Sequence, residues 1–211
     1  GCHCLVEKPM IWPADEATAA ALVSLFTENG AVLDAVAQWP FALAQFEVLY
    51  GPLPRTIDAF SMRLSPISID DSMIPDAAPH FVSLLQALAG PGDFEAVSIG
   101  RTMNGNQARL HLRAQFRHAA GTVAAELLLE TVAERPRPAW FEINGLRAER
   151  EVELPAYQQF LAGGGRRVAL PDPMHTVAST YLSKLARAEA TDAAALLSAH
   201  RNLCQLAAAA G

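Results

Sequence analysis

Cysteines, basic residues and long apolar runs are all scarce in this sequence of 211 residues. The three cysteines are too few, and odd in number, for a disulfide framework, which favours a reducing compartment and so the cytoplasm. No uninterrupted apolar run approaches the ~20 residues of a membrane-spanning helix, so no membrane partner is expected. The 16 basic residues are outnumbered by 22 acidic ones, which argues against a general nucleic-acid binder.

The chain also lacks an initiator methionine and a targeting segment, since it begins Gly1-Cys2-His3-Cys4. This beginning predicts that the sequence is part of a longer one. Apolar residues are plentiful, at 51% of the chain, which excludes intrinsic disorder. The length suits one large domain or a domain and a half.

The first forty residues have the pattern of a strand, a helix and a second strand. The first strand starts near His3 and ends at Val6, the helix covers 14–29, and the second strand covers 31–37. The apolar stripe of the helix is predicted to be Leu22, Leu25 and Phe26. A strand, a helix and a strand within about forty residues form a βαβ unit, the building block of doubly wound sheets.

After Pro40 the pattern changes to helices and antiparallel strands. Helices are predicted over 41–50, 76–89, 174–188 and 192–209, and strands over 57–64, 94–103, 107–117, 122–132 and 138–145. Asp76 is the predicted N-cap of its helix and Gly90 its terminator, and Asn104-Gly105 predicts a hairpin turn. Residues 41–211 are therefore expected to form an α+β domain with a mostly antiparallel sheet backed by helices.

The second hairpin has a register that the sequence alone predicts. If residues 118–121 form the turn, Leu112 lies opposite Leu127 and Arg113 lies opposite Glu126. Apolar residues then meet on one face and opposite charges meet on the other. The pattern predicts a half-buried antiparallel sheet.

One candidate functional segment is Glu7-Lys8-Pro9, directly after the first strand. A lysine at the carboxyl end of a parallel strand lies where open α/β sheets bind their ligands. Pro9 fixes its own backbone torsion and helps to hold the lysine in place. The alternative is a surface lysine at a strand-to-loop turn.

A second candidate is the pair Asp76 and His80, which lie four residues apart and so share one face of a helix. A carboxylate beside a histidine can orient the ring and raise its pKa, as a general base requires. The alternative is a capping aspartate with an unrelated histidine nearby. Cys2-His3-Cys4 has no second ligand pair, so no metal site is predicted.

Together these segments resemble a known family. The run from Gly1 to Pro9 is similar to the G-x-x-V-x-x-E-K-P segment of the Gfo/Idh/MocA oxidoreductases. Asp76-x-x-x-His80, some 68 residues after Lys8, is similar to the family's D-x-x-x-H helix, and an antiparallel sheet follows in both. The resemblance implies that residues 1–40 are the C-terminal remnant of a dinucleotide-binding Rossmann domain. It also implies that residues 41–211 form the substrate and oligomerisation domain, with the last helices packing back on the first part.

The resemblance also implies an activity. Members transfer a hydride between NAD or NADP and a hydroxyl-bearing carbon of a sugar, cyclitol or related metabolite. Lys8, Asp76 and His80 would be the catalytic residues, and Glu7, Lys8 and Pro9 would contact the nicotinamide. A homo-oligomer formed through the open face of the sheet is expected as well. The alternative is a non-catalytic module that uses that face only for interaction.

The glycine-rich turn that binds the cofactor pyrophosphate in such proteins would precede Gly1. Gly163-Gly164-Gly165 is no substitute, because no strand-to-helix context surrounds it. Residues 1–211 alone are therefore expected to bind NAD(H) poorly and to be inactive.

Overall fold

The computed structural model describes residues 1–104 and 107–210, and it contains ten strands and five α-helices within these ranges. Strand β1 (Cys4–Val6), helix α1 (Glu16–Glu28) and strand β2 (Leu33–Ala35) come first. The two strands are parallel, with Cys4 opposite Leu33, so the predicted βαβ unit is present. The apolar stripe predicted for its helix is wrong. Ala19 and Val23 are the buried residues of α1, which packs against the last helix, while Leu25 is 57% exposed.

The rest of the chain forms an eight-stranded sheet and four helices. The strands are β3 (Ala59–Leu64), β4 (Gly92–Asn104), β5 (Gln107–His118), β6 (Gly121–Glu130), β7 (Ala139–Ile143), β8 (Leu146–Glu153), β9 (Gln158–Gly163) and β10 (Arg166–Ala169). The helices are α2 (Leu43–Tyr50), α3 (Met73–Ala89), α4 (Pro173–Ala186) and α5 (Ala193–Ala210). The strand order is β10-β9-β8-β7-β3-β6-β5-β4, and only β3 and β6 pair in parallel. The predicted fold class, an α/β part followed by a mostly antiparallel sheet backed by helices, is confirmed.

The predicted register of the second hairpin is confirmed. Leu112 pairs with Leu127 and Arg113 with Glu126 across β5 and β6, and the turn joins His118 to Gly121. Asn104 pairs with Gln107 across β4 and β5, whereas Gly105 of the predicted Asn104-Gly105 turn lies outside the described residues.

One face of the large sheet is covered by helices and the other is open. On the covered face, Phe81 of α3 stacks between Phe60 and Phe94, at ring-centroid distances of 5.4 and 5.9 Å. On the open face, charged side chains form cross-strand pairs such as Arg113 with Glu126. This division follows from the period-two alternation of the strands, which places apolar residues on one side.

Strands β8, β9 and β10 were not predicted from the sequence. Their inward positions hold few large apolar residues, so the alternation is weak. The turn before β8 does carry a hairpin signal: Asn144 and Gly145 have φ angles of 48° and 85°, as a type I′ turn requires. The prediction of one strand over 138–145 is therefore wrong at its end, because this turn closes β7 at Ile143.

The last two helices contact the βαβ unit. The Lys184 ammonium donates to the Asp34 carboxylate, and the Leu33 N–H donates to the Thr191 hydroxyl at 2.8 Å. His200 Nε2 donates to the Asp15 carbonyl at 3.1 Å. Within the described ranges, no helix combines the length and the apolar character needed to span a bilayer. The boundary between 1–40 and 41–211 stays a prediction.

Candidate active site

Asp76 holds the loop before helix α3 and does not cap the helix. The helix begins at Met73, one turn earlier than predicted, with Ser72 at the N-cap position. The Asp76 carboxylate accepts hydrogen bonds from the N–H groups of Ile67 and Ser68 at 3.1 and 3.2 Å, and from the Ser68 hydroxyl at 3.1 Å. The N-cap prediction for Asp76 is therefore wrong, because its oxygens satisfy loop donors outside the helix.

Lys8 meets Asp76 across 68 residues of chain. Its ammonium donates to the Asp76 backbone carbonyl and lies 3.7 Å from carboxylate Oδ1. Burial acts to raise the pKa of Asp76, but the hydrogen bonds from Ser68, the Lys8 charge and the Ile67 N–H together hold that pKa below its usual value. Asp76 is thus an anion at neutral pH, and it fixes the position of Lys8, two residues after β1.

His80 lies one turn along α3 from Asp76 and has a strongly shifted pKa. Burial, followed by the Lys8 charge, lowers the pKa of His80 to about 3, with Arg150 acting in the same direction and Asp76 against it. Asp76 does act to raise this pKa, as the sequence predicts for a carboxylate beside a histidine, but burial outweighs it. The two side chains form no hydrogen bond with each other in the part of the chain described here. His80 is therefore a neutral imidazole at pH 7.

Asp76 and His80 line one cavity of about 460 Å³, which we call the arginine cavity. It lies between α3, the loop after β3, the start of β7 and the end of β8. Its other polar walls are Gln38, Trp39, Ser65, Arg135, Arg137, Arg150 and Tyr157. Ligand cavities of ~300–1,000 Å³ accept small metabolites, so a monosaccharide derivative fits by size.

Lys8 and Pro9 line a second cavity of about 390 Å³, between the ends of β1 and β2 and helices α3 and α5. We call it the lysine cavity. Its lining is mostly apolar, with Asp34 and Lys184 paired to each other within it. Glu7 is exposed at the surface. The structure thus joins Lys8 to Asp76 and places His80 in the same cavity as Asp76, while Pro9 lies in the neighbouring cavity.

The arginines and Tyr157 were missed by sequence reasoning. Arg135 and Arg137 lie in the loop before β7, and Arg150 extends from the covered face of β8 toward the Trp39 ring, with 5.9 Å from its guanidinium carbon to the ring centroid. The alternating run Arg135-Pro136-Arg137-Pro138 is the signal that could have found two of them. Its prolines stiffen the loop, which indicates that the two arginines are held in fixed positions.

The other motifs do not add to this site. No cluster of three or more His, Cys, Asp or Glu suited to a metal occurs within residues 1–104 and 107–210. Gly164 and Gly165, with φ angles of 56° and 71°, form the tight turn between β9 and β10. His111 pairs with Glu126 on the open face, and Asp172 caps α4 by accepting from the His175 N–H at 2.9 Å.

Comparisons with known proteins identify the fold. No family model matches the sequence, and no curated protein matches it significantly. Among solved structures, a dehydrogenase (MviM) from Clostridium difficile is 12% identical with a TM-score of 0.65, over 97% of this chain and 70% of that one. UDP-N-acetylglucosamine 3-dehydrogenase GnnA from Acidithiobacillus ferrooxidans is 18% identical with a TM-score of 0.65, over 98% and 70%. KijD10, a 3-ketoreductase from Actinomadura kijaniata in complex with NADP, is 16% identical with a TM-score of 0.59, over 95% and 66%.

These similar structures are oxidoreductases, and their identities are low enough that they establish architecture rather than activity. The match extends over nearly all of this chain and about two thirds of each of theirs. The resemblance carried by Glu7-Lys8-Pro9 and Asp76-x-x-x-His80 is thereby confirmed at the level of the fold. This chain has the fold of the Gfo/Idh/MocA-type oxidoreductases.

Proposed function

We propose that the protein is an NAD(P)-dependent oxidoreductase that acts on a hydroxyl-bearing carbon of a sugar, cyclitol or related metabolite, with Lys8, Asp76 and His80 as its catalytic residues. The observation that carries the proposal is the arginine cavity. It holds a neutral His80 beside the Asp76 that anchors Lys8. A neutral imidazole can accept a proton, and a nearby ammonium can stabilise an oxyanion.

His80 would accept the hydroxyl proton of the substrate as the carbinol is oxidised. The carbon–hydrogen bond electrons leave as a hydride, the oxygen keeps the electrons of its O–H bond, and a carbonyl forms. The imidazolium produced on His80 is disfavoured by burial and by the charges of Lys8 and Arg150, and it is favoured by Asp76. Asp76 therefore acts on the proton transfer through its charge and through the position it gives to Lys8.

Lys8 would stabilise negative charge on the same oxygen. Its ammonium has three donors, of which the Asp76 carbonyl takes one. Donors aimed at a developing oxyanion lower the barrier most when they are held in place before the reaction. The contact with Asp76 provides that fixed position.

A nicotinamide cofactor, when bound, supplies the hydride acceptor. In the part of the chain described here, the residues that fit it are at the end of β1, where Lys8 and Pro9 line the lysine cavity and Glu7 lies beside them. Gly163 and Gly164 do not fit a phosphate, since a Cβ at Gly163 would lie 2.2 Å from the Tyr50 hydroxyl and 2.6 Å from the Arg147 carbonyl. Glycines occur at these two positions of the turn because Tyr50 packs against it and leaves no room for side chains.

The activity is tested on the protein expressed from its full reading frame. The protein is incubated with NAD⁺ or NADP⁺ and a mixture of neutral, carboxylated and phosphorylated sugars. We expect absorbance of reduced nicotinamide at 340 nm. We also expect mass spectrometry to show one compound that has lost two hydrogens, in an amount equal to that of the reduced nicotinamide. A mixture in which no compound loses hydrogen contradicts the proposal.

The open face of the sheet supports the predicted homo-oligomer. Leu128, Trp140 and Phe160 lie on this face, and Arg147 and Arg167 stack on the two rings at 3.9 and 3.4 Å. We propose that a second copy of the chain covers it. Sedimentation should show a dimer or larger species that Leu128→Glu dissociates. A non-catalytic module would show this association without any turnover in the preceding assay.

A further inference from the structure

Three arginines converge on the arginine cavity from two segments of the chain. Arg135 and Arg137 come from the loop between β6 and β7, and Arg150 comes from β8. Arg150 of β8 pairs with Ala139 at the start of β7. Arg137 precedes Ala139 by two residues, so this pairing brings Arg150 close to the loop that carries Arg137. Its strand neighbour Ala148 is fully buried on the same face, which makes an arginine at this inward position unusual.

The positive charge in this cavity is not compensated. Asp76 is the one carboxylate in the cavity lining, and its oxygens already serve Ile67, Ser68 and Lys8. Within the described residues, none of the three arginines has an ion-pair partner, whereas arginines of the open face such as Arg113 and Arg117 each pair with a glutamate.

Two of these arginines also have buried donors without an acceptor. The Nε atoms of Arg137 and Arg150 are shielded from solvent and make no hydrogen bond. Buried donors are normally satisfied, so these two guanidinium groups keep hydrogen-bonding capacity that no group of the described protein uses. A guanidinium offers two parallel N–H groups, which match the two oxygens of a carboxylate or a phosphate.

The loop is held so that the arginines face the cavity. The Arg150 Nη2 donates to the Arg137 carbonyl at 2.9 Å, and the Ser65 hydroxyl donates to the Pro138 carbonyl at 3.0 Å. Prolines after Arg135 and Arg137 restrict both residues to extended backbone conformations. The arginines are thus positioned before any ligand binds, which reduces the entropy lost on binding.

We propose that Arg135, Arg137 and Arg150 bind an anionic group of the substrate, a carboxylate or a phosphate, so that the substrate of the His80 site is an acidic sugar derivative. This inference rests on the proposed function for the identity of the reacting part. The anion-binding role itself rests only on the cavity.

The test measures binding in the absence of cofactor. The protein is titrated by calorimetry, at constant ionic strength, with inorganic phosphate, glucose 6-phosphate, glucuronate and glucose. We expect phosphate and at least one of the two acidic sugars to bind, with the acidic sugar at least tenfold tighter than glucose. Binding of glucose 6-phosphate alone identifies a phosphate site, and binding of glucuronate alone among the sugars identifies a carboxylate site that inorganic phosphate also enters.

Charge-removing variants assign the binding to the arginines. Arg137→Gln and Arg150→Gln should each weaken the acidic sugar about tenfold, as expected for loss of one charge-assisted contact. Arg135→Gln is the variant that remains informative if the others unfold, because Arg135 is exposed. The matched control is Arg187→Gln, which removes an exposed arginine paired with Glu189 at the end of α4.

Three results overturn the proposal: no anion binds, glucose binds as tightly as both acidic sugars, or Arg135→Gln binds the anion as well as Arg187→Gln does. The proposed function fails separately. Anion binding without hydride transfer contradicts the oxidoreductase and leaves the anion site standing. Turnover of a neutral sugar without anion binding contradicts the anion site and leaves the oxidoreductase standing.

Discussion

The arginine cavity and the lysine cavity differ in their charge balance more than in their size. The first has three arginines and one aspartate in its lining, and the second has two lysines, Lys8 and Lys184, and two aspartates, Asp34 and Asp192. In the lysine cavity the Lys184–Asp34 pair also ties α4 to β2. The Lys184–Asp34 pair joins two elements of the fold, while the unpaired arginines beside a neutral histidine indicate a place for an anionic ligand.

The largest expected effect is on catalysis in the arginine cavity. His80→Gln in the full-length protein should lower kcat by ~10²–10⁴, because the proton acceptor is lost. Steady-state kinetics at pH 7 measure this, with anionic-sugar binding as the companion measurement. His175→Gln is the matched control, since His175 is exposed and its side chain makes no hydrogen bond in the described structure. Near-normal kcat in His80→Gln removes His80 from the mechanism.

The next effect is on stability at acid pH. The pKa of His80 is about 3 in the folded protein and ~6.5 when unfolded, so below pH 6.5 the unfolded chain takes up a proton that the folded chain does not. The stability that the neutral His80 provides is therefore full above pH 6.5 and falls toward pH 3. Between pH 6 and 4 the loss should approach ~1.4 kcal/mol per pH unit relative to His80→Gln.

Urea unfolding of the two proteins at several pH values measures that difference. All other groups, including Asp76, are common to both proteins and cancel in the comparison. Parallel stability curves for wild type and His80→Gln would show that His80 titrates normally and that the cavity does not disfavour its charge.

A smaller effect is expected from the balanced pair in the lysine cavity. Lys184→Met should reduce the free energy of unfolding by ~1–2 kcal/mol, because it leaves the Asp34 carboxylate half-buried without its partner. The double variant with Asp34→Asn should recover part of that loss. Anion binding should not change, and weaker anion binding in Lys184→Met would contradict the division between the two cavities.

The smallest effect is expected on the open face of the sheet. Arg117→Ala removes an exposed ion pair with Glu95 and should change the free energy of unfolding by less than ~1 kcal/mol. Guanidinium chloride unfolding checks this. A loss of unfolding free energy well above ~1 kcal/mol would mean that charges outside the cavities also stabilise the fold substantially.

Sequence reasoning succeeded where each segment carried its own pattern. Strands β5 and β6 alternate so regularly that the pairing of Leu112 with Leu127 follows from the turn alone. Lys8, Asp76 and His80 were found because each lies in a short motif. The structure brings Lys8 to Asp76 and places His80 in the Asp76 cavity, while their catalytic roles stay a prediction.

The arginine cavity could not be predicted, because its parts are far apart in sequence. Arg137 and Arg150 meet through the register that sets Ala139 opposite Arg150, and β8 itself was not predicted. The low pKa of His80 could not be predicted for a related reason. The sequence shows the neighbouring carboxylate but not the burial that outweighs it.

An NMR titration of the His80 ring protons, with and without inorganic phosphate, tests the central claim most directly. The arginine cavity should hold the pKa of His80 at about 3 when no anion is present, because burial and the charges of Lys8 and Arg150 oppose its protonation more than Asp76 favours it. Phosphate bound at the arginines should raise that pKa by at least one unit, since a negative charge then stabilises the imidazolium. A His80 that titrates near 6.5, or whose pKa is unchanged at saturating phosphate, would contradict an anion-binding site beside the proton acceptor.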